Sequence, residues 1–214
     1  MEQIILNNTL PRVFAGQNGI HSDVWQQNVT LERGKRYLIS AESGTGKSSM
    51  CSYIYGYRQD YRGVIAFDGS DIRRLTVDQW CDIRQRHIAY LPQDMRLFGE
   101  LTAMENVELK NRLTGFKSPE EIRRLFEIMG IADKENSLAS KLSIGQQQRV
   151  AIIRTLCQPC DFILLDEPVS HLDDENNRTV AHLISEEAQR QGAGVIATSV
   201  GNHLQMDVDK IFNL

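Results

Sequence analysis

Several clusters of residues in this chain have the types and spacing that phosphate chemistry needs. The first is A-E-S-G-T-G-K-S at 41–48, between a strand-like run at 36–40 and a helix-compatible stretch from Ser48 to about Tyr55. In a strand–loop–helix setting, glycines let successive backbone N–H groups turn inward toward phosphate oxygens, where side chains would obstruct the approach. The helix behind the loop adds unsatisfied amides and the positive end of its dipole. The spacing predicts that Ala41, Ser43, Gly44, Thr45 and Gly46 cradle a nucleotide's phosphates and that Lys47 reaches the β- and γ-phosphates. Ser48, with Ser49 beside it, supplies a hydroxyl for Mg²⁺. Ala41 stands where G-x-x-x-x-G-K-S has its first glycine; alanine tolerates ordinary φ values, so the loop is still expected to form. A Gly/Ser surface turn is the bland reading, and the companion clusters outweigh it.

Phe162, Ile163, Leu164 and Leu165 form an apolar run ending in Asp166, Glu167 and Pro168. That is the pattern of a buried parallel strand tipped with carboxylates. Ligands of α/β sheets sit at the C-terminal ends of strands, which brings both acids to the phosphates. Asp166 is expected to hold Mg²⁺, directly or through water, and Glu167 to act as general base toward an attacking water. Solvated carboxylates capping a strand end are the structural alternative. Upstream, 88–91 reads as a short strand delivering Pro92 and Gln93, and 142–149 reads L-S-I-G-Q-Q-Q-R, a glycine-containing loop feeding a helix. Gln93 alone would be weak; in order with the other clusters it becomes strong.

Together these motifs resemble the ATP-binding cassette (ABC) ATPases, and the resemblance covers essentially the whole chain. It implies an α/β P-loop NTPase of the ABC type: a RecA-like core with a parallel sheet, an N-terminal antiparallel β subdomain, and a helical subdomain inserted at about 94–140. Residues 1–214 would form one ABC ATPase domain. Gln93 then belongs to the loop that senses the γ-phosphate and Mg²⁺ and links the core to the helical subdomain. Ser143, Gly145 and Gln146 would close over ATP held by a second copy, and 170–173 would cross the dimer interface. Ile144 replaces the family's usual first signature glycine, while Gly145 is retained. Phe14 sits about where the family stacks an aromatic on adenine, with core packing the even alternative. Two copies are expected to close head to tail as a homodimer on ATP binding, neither half-site being complete alone.

Within the superfamily, Q-D-M-R-L-F…L-T-A-M-E-N-V looks most like the ATPases of lipoprotein release, macrolide export and the cell-division permease complex. The implied partner is an integral membrane permease subunit. Met95, Leu97 and Phe98 lie where the family receives a short permease helix, a role exposed apolar clusters commonly have; packing between core and helical subdomain is the alternative. The family also places a switch histidine just after the final core strand. Here that strand is 194–198, and the place falls on Ser199 or Val200. His203 is the histidine nearby, and side-chain placement after a strand argues against its joining the site. The expectation is firm Mg-ATP binding with slow turnover in the isolated subunit, raised by histidine at 199 or 200 and little changed in His203→Ala.

Composition agrees. A length of 214 residues allows an α/β domain with a sizeable core, and 24 Lys plus Arg against 28 Asp plus Glu gives −4, so no overall basic field favours nucleic acid. No segment approaches the run of roughly 20 apolar residues that a membrane helix needs. The N-terminus lacks a signal-peptide pattern, so a cytoplasmic chain is expected, peripheral on the inner face of the membrane through its permease. Cys157 and Cys160 form C-Q-P-C, but without a second such pair or spaced histidines they read as buried structural thiols. Ser118-Pro119-Glu120-Glu121 starts a helix whose apolar face is Ile122, Leu125, Phe126 and Met129, with Gly130 as its stop. Asp173 and Asp174 cap another. A DNA-maintenance ATPase would need a long coiled-coil insertion, and a ribosome-acting factor two cassettes; neither fits this length. A degenerate regulatory nucleotide binder with weak hydrolysis is the alternative kept open by Ala41 and the switch region.

Overall fold

The computed structural model describes residues 1–16, 19, 21–42 and 44–214. The turn expected around Gln17 and Asn18, and the phosphate contact expected of Ser43, lie outside the described residues.

The apolar run at the centre of the chain is buried on both faces because it is the middle of a parallel sheet. Strands β1 (Gln3–Pro11), β2 (Asn28–Glu32), β3 (Arg36–Ser40), β4 (Tyr61–Phe67), β5 (Ser70–Asp71), β6 (Ile88–Leu91), β7 (Phe162–Asp166), β8 (Gly194–Ser199) and β9 (Lys210–Asn213) divide into two sheets. The parallel sheet runs β6-β7-β8-β3-β9 and the antiparallel one β2-β1-β4-β5. Side chains of β7 alternate with the strand period of two. Ile163 and Leu165 enter the cluster under the helices, while Phe162 and Leu164 face the cluster shared with the antiparallel sheet. The antiparallel subdomain is therefore not only N-terminal. Its β4 and β5 arrive after the phosphate loop, and β3, the strand expected to lead into that loop, belongs to the core sheet.

Helices cover the sheet: α1 (Lys47–Ile54), α2 (Val77–Asp82), α3 (Ala103–Asn111), α4 (Pro119–Ile128), α5 (Ile144–Thr155) and α6 (Asp174–Gln191). The expected starts are present. Ser118 and Glu121 form a reciprocal capping box with Pro119 in the first turn, and the Asp173 side chain accepts from Asn176 N. Gly130 follows at φ 62°. Thr76 and Gln79 form a capping box at the start of α2, and a single π-helical turn, Ile83–His87, follows it. No buried apolar stripe announces α2, which carries no buried residue.

The segment carrying α4 is tied to α6 by Lys117, whose Nζ donates to Glu187 Oε2 at 2.9 Å with the side chains 6% and 10% exposed. Glu187 also accepts from Arg190 and Gln191, each at 2.6 Å. Glu187→Gln keeps the shape but removes the counter-charge from a buried ammonium, and should cost about 2 kcal/mol. A thermal melt should register this as a lower midpoint; an unmoved midpoint would show that Lys117 is compensated elsewhere. Cys157 and Cys160 are buried and free, and burial pushes both thiols up to about 12. They carry no reactive thiolate near neutrality.

Candidate nucleotide site

The C-terminal ends of β3, β6, β7 and β8 lie side by side, and each delivers one part of a connected polar network. From β3 the chain enters the loop that ends at Gly46, with φ 100° as N-cap of α1. A side chain is excluded there twice over: the backbone sits in the left-handed region, and a Cβ would stand 3.1 Å from Trp25 Cζ2 and 3.2 Å from Phe14 Cε2. Trp25 Nε1 donates to Thr45 O at 3.0 Å. Phe14 and Trp25 thus brace the loop from behind, and Phe14 belongs to the border of the core cluster as well as to the loop's edge. Ala41 keeps its part of the fold, donating its N–H to Ser199 O at 3.3 Å.

Lys47 is buried, and its Nζ donates to Glu42 O at 2.8 Å and lies 3.9 Å from Glu167 Oε1. Ser48 Oγ donates to Gln93 Oε1 at 3.3 Å, and Gln93 Nε2 donates to Glu167 Oε2 at 3.2 Å. Ser49 is engaged elsewhere, accepting from Arg58 Nη1 at 3.0 Å. Behind the network, Thr198 Oγ1 donates to Asp166 Oδ1 at 2.8 Å and accepts Glu167 N at 3.2 Å. Glu167 has φ 52°, a conformation a non-glycine residue holds only when its surroundings impose it. Gln148 of α5 helps to do so, with Nε2 donating to Glu167 O at 3.2 Å and Oε1 accepting His171 N at 3.1 Å.

Asp166 is 2% exposed, and desolvation raises its carboxyl pKa; the Ser48 and Thr198 hydroxyls and Lys47 oppose the shift only in part. Ser48, Gln93 and Asp166 present oxygen donors with a single carboxylate, the set that suits Mg²⁺ completed by water and substrate phosphates. Among the described residues no group of three or more His, Cys, Asp or Glu could hold a metal by itself. An acid raised by burial costs stability while ionised, a cost that disappears as pH falls and the carboxyl protonates. Asp166→Asn should therefore raise the nucleotide-free melting temperature at neutral pH, with the gap closing in acid, and remove the further stabilisation by Mg-ATP. A variant melting below wild type at neutral pH would contradict this.

Ser143, Gly145 and Gln146 stand at the start of α5 and do not join this network. Ser143 Oγ accepts Gln146 N at 3.3 Å while Gln146 Oε1 accepts Ser143 N at 2.9 Å, so the pair forms a capping box. Ile144 beside them is 49% exposed. Of the apolar residues after Gln93, Met95 is buried at 7%, Leu97 packs partly on the same core, and Phe98 is 57% exposed. The expected partner surface thus reduces to Phe98, because the chain turn through Met95 and Arg96, both at positive φ, points the methionine inward.

The switch region departs most from expectation. Ser199 ends β8 and is hydrogen-bonded to His203 Nδ1. The loop doubles back because buried Asn177 of α6 pins it: its Nδ2 donates to His203 O at 2.9 Å and its Oδ1 accepts Gln205 N at 3.0 Å. Thr198, Gln148 and Trp25 were missed as site residues, whereas His203, expected to stay out of the site, is brought to Ser199. For Thr198 a signal existed in the strand pairing that an α/β sheet imposes; for the others it did not.

A phosphate-type loop, strand-end carboxylates and a glutamine-bearing loop on one parallel sheet define a nucleotide-binding cassette. Residues 25–170 match the ABC transporter family, and the chain belongs to it. The ABC transporter ATP-binding protein YtrE of Bacillus subtilis is 33% identical over 168 residues, covering 77% of this chain and 73% of that protein. The lipoprotein-releasing system ATP-binding protein LolD of Shewanella denitrificans is 28% identical over 99% of this chain and 92% of its own. The macrolide export ATP-binding/permease protein MacB of Aggregatibacter actinomycetemcomitans is 31% identical over 99% of this chain, which spans only 33% of that protein. Among solved structures, the dimeric form of MJ0796, a bacterial ABC transporter cassette, superposes with a TM-score of 0.75 at 30% identity, covering 92% of this chain and 87% of that one.

Proposed function

We propose that this chain is the ATP-binding and hydrolysing subunit of an ABC transporter, powering a separate membrane permease by head-to-tail closure of two copies around two ATPs. The observation that carries the reading is the chain of contacts Ser48–Gln93–Glu167–Lys47, which gathers three strand ends at one point. Lys47 exchanges the Glu42 carbonyl for the β- and γ-phosphate oxygens. Gln93, freed from Ser48, keeps its hold on Glu167 and orients the carboxylate toward the attacking water, whose proton Glu167 accepts. Bound Mg²⁺, held by Ser48, Gln93 and Asp166, would neutralise charge on the phosphates. Ala41, Gly44, Thr45 and Gly46 line the phosphates, and Phe14 stacks on the adenine. Ser143, Gly145 and Gln146 of the other copy complete the site, which makes hydrolysis depend on closure.

The reading leaves the membrane crossing to the partner and places this subunit on the inner face of the membrane. No helix of the described residues is long and apolar enough to cross a membrane. A weakly hydrolysing regulatory nucleotide binder is the second reading, favoured by the uncharged Ser199 at the switch position. Titration with a fluorescent ATP analogue and Mg²⁺ tests the assignment. Wild type should saturate, while Lys47→Ala should weaken binding by about 100-fold, the loss of two charge-assisted contacts. Equal affinity in the two proteins would remove the phosphate-loop assignment.

A further inference from the structure

The loop at 170–173 joins β7 to α6, and the side chain of its histidine has no part in the network around Lys47 and Glu167. Its backbone, however, is locked to the start of α5. A Cβ on Gly145 would stand 3.1 Å from His171 O, so the two segments meet backbone to backbone. Gln148 Oε1 accepts His171 N at 3.1 Å, while its Nε2 donates to Glu167 O at 3.2 Å and to Ser170 Oγ at 3.4 Å. Just beyond the loop, Arg149 Nη1 donates to Asn176 Oδ1 at 3.2 Å. Residues 143–149 and 170–176 are thus tied into one body. Whatever Ser143 and Gly145 approach, His171 approaches with them.

The imidazole is set to donate. His171 is exposed, and its ring is held at Nδ1 by Ser170 Oγ at 3.0 Å. Gln148 Nε2 occupies one lone pair of that oxygen, which favours sending the serine proton to Nδ1. The neutral ring then carries its hydrogen on Nε2, and the imidazolium carries one there as well. In both forms Nε2 is a donor, facing outward from the fold.

The charge at the nucleotide site indicates what such a donor could serve. The connected network of Ser48, Gln93, Asp166, Glu167, Thr198 and Lys47 holds two carboxylates and one ammonium. Ser199, at the end of the neighbouring strand, is uncharged. Charge gathering on the γ-phosphoryl oxygens during hydrolysis is stabilised by donors already aimed at them, and this set is short of cations.

We propose that His171 of each copy is a catalytic residue of the other copy's site, donating from Nε2 to the γ-phosphate oxygens of the ATP held there. The inference rests on the head-to-tail reading above, in which Ser143 and Gly145 meet the other copy's nucleotide, and adds to the closed site a donor that can carry positive charge. In the reaction the water oxygen bonds to the γ-phosphorus as the bond to the ADP oxygen breaks. Glu167 accepts the water's proton, and His171 keeps its own. Its hydrogen bond strengthens as charge develops, so it contributes to rate more than to binding.

The test mixes variants. His171→Ala should keep the wild-type melting temperature, because Gln148 holds this residue by its backbone N–H, and should keep the Mg-ATP affinity of the separate subunit. Its single-turnover hydrolysis should fall by on the order of 100-fold, the loss of one aimed donor. Glu167→Gln is slow by itself, lacking its base. In a mixed dimer of the two variants, Glu167 of the His171→Ala copy meets His171 of the Glu167→Gln copy, and that site is whole. An equimolar mixture, with mixed dimers verified by co-purification through a tag on one variant, should regain about a quarter of wild-type hydrolysis, since half of the dimers are mixed and half of their sites intact. A histidine serving its own chain's Glu167 gives no recovery, because every site then lacks one of the two groups. Wild-type turnover in His171→Ala overturns the proposal, as does a mixture no faster than the variants apart. Either result leaves the ATPase reading standing, provided that wild type hydrolyses ATP and Glu167→Gln dimerises with it. Failure of Glu167→Gln to dimerise overturns the head-to-tail reading and this inference with it.

Discussion

Glu167→Gln is expected to bind Mg-ATP with near wild-type affinity and to hydrolyse it about 10²–10⁴-fold more slowly, the usual contribution of a positioned general base. The amide preserves the volume, and Gln93 Nε2, now 3.2 Å from Glu167 Oε2, can still donate to the remaining carbonyl oxygen. What disappears is the capacity to accept the water's proton. Because product formation then lags behind closure, gel filtration with ATP should show a dimeric species that wild type does not accumulate. Binding is preserved since the groups aimed at the phosphates, Lys47 and the loop amides, are untouched; relief of the 3.9 Å ion pair with Lys47 even frees that ammonium for phosphate. Wild-type turnover in this variant would mean that Glu167 is not the base.

The second large effect concerns Ser199 and His203. A hydroxyl at the end of β8 can donate to a developing phosphoryl charge only if its proton is not already spent. When His203 carries its proton on Nδ1, the imidazole donates to Ser199 Oγ and leaves the serine proton free; in the other tautomer the serine proton is consumed by the ring. Ser199→Ala should therefore lower single-turnover hydrolysis by on the order of 100-fold, the loss of one preorganised donor, with Mg-ATP affinity little changed. His203→Ala should lower it in the same direction, and in the Ser199→Ala background it should add almost nothing, since the histidine acts through the serine. Independent, additive losses would refute the coupling. No loss in either variant would favour the regulatory reading over an active hydrolase.

Much of the site is local in character, which is why it could be read from the chain alone. Gly44 and Gly46 adopt positive φ because the turn between β3 and α1 demands it, and that demand is written in consecutive residues. The apolar strand ending in Asp166 and Glu167 is equally self-contained, since burial on both faces removes the polar alternation that would otherwise mark it. Capping boxes at Ser118 and Ser143 are likewise four-residue events.

Contacts between distant segments carried no such mark. Trp25 reaching Thr45, Gln148 holding Glu167 and His171, and Thr198 binding Asp166 each join residues 19 or more positions apart. The division of Met95, Leu97 and Phe98 between core and surface depended on two consecutive residues at positive φ. The clearest case is His203, which strand geometry would have carried away from the site. The amide of Asn177, fully buried on α6, draws its loop back instead. By itself the sequence determined the phosphate loop, the acid-tipped strand and the parallel sheet that aligns them, because each follows from neighbours along the chain. Only the tertiary structure decided which distant side chains brace those parts, since a buried polar atom takes whatever partner packing brings within reach.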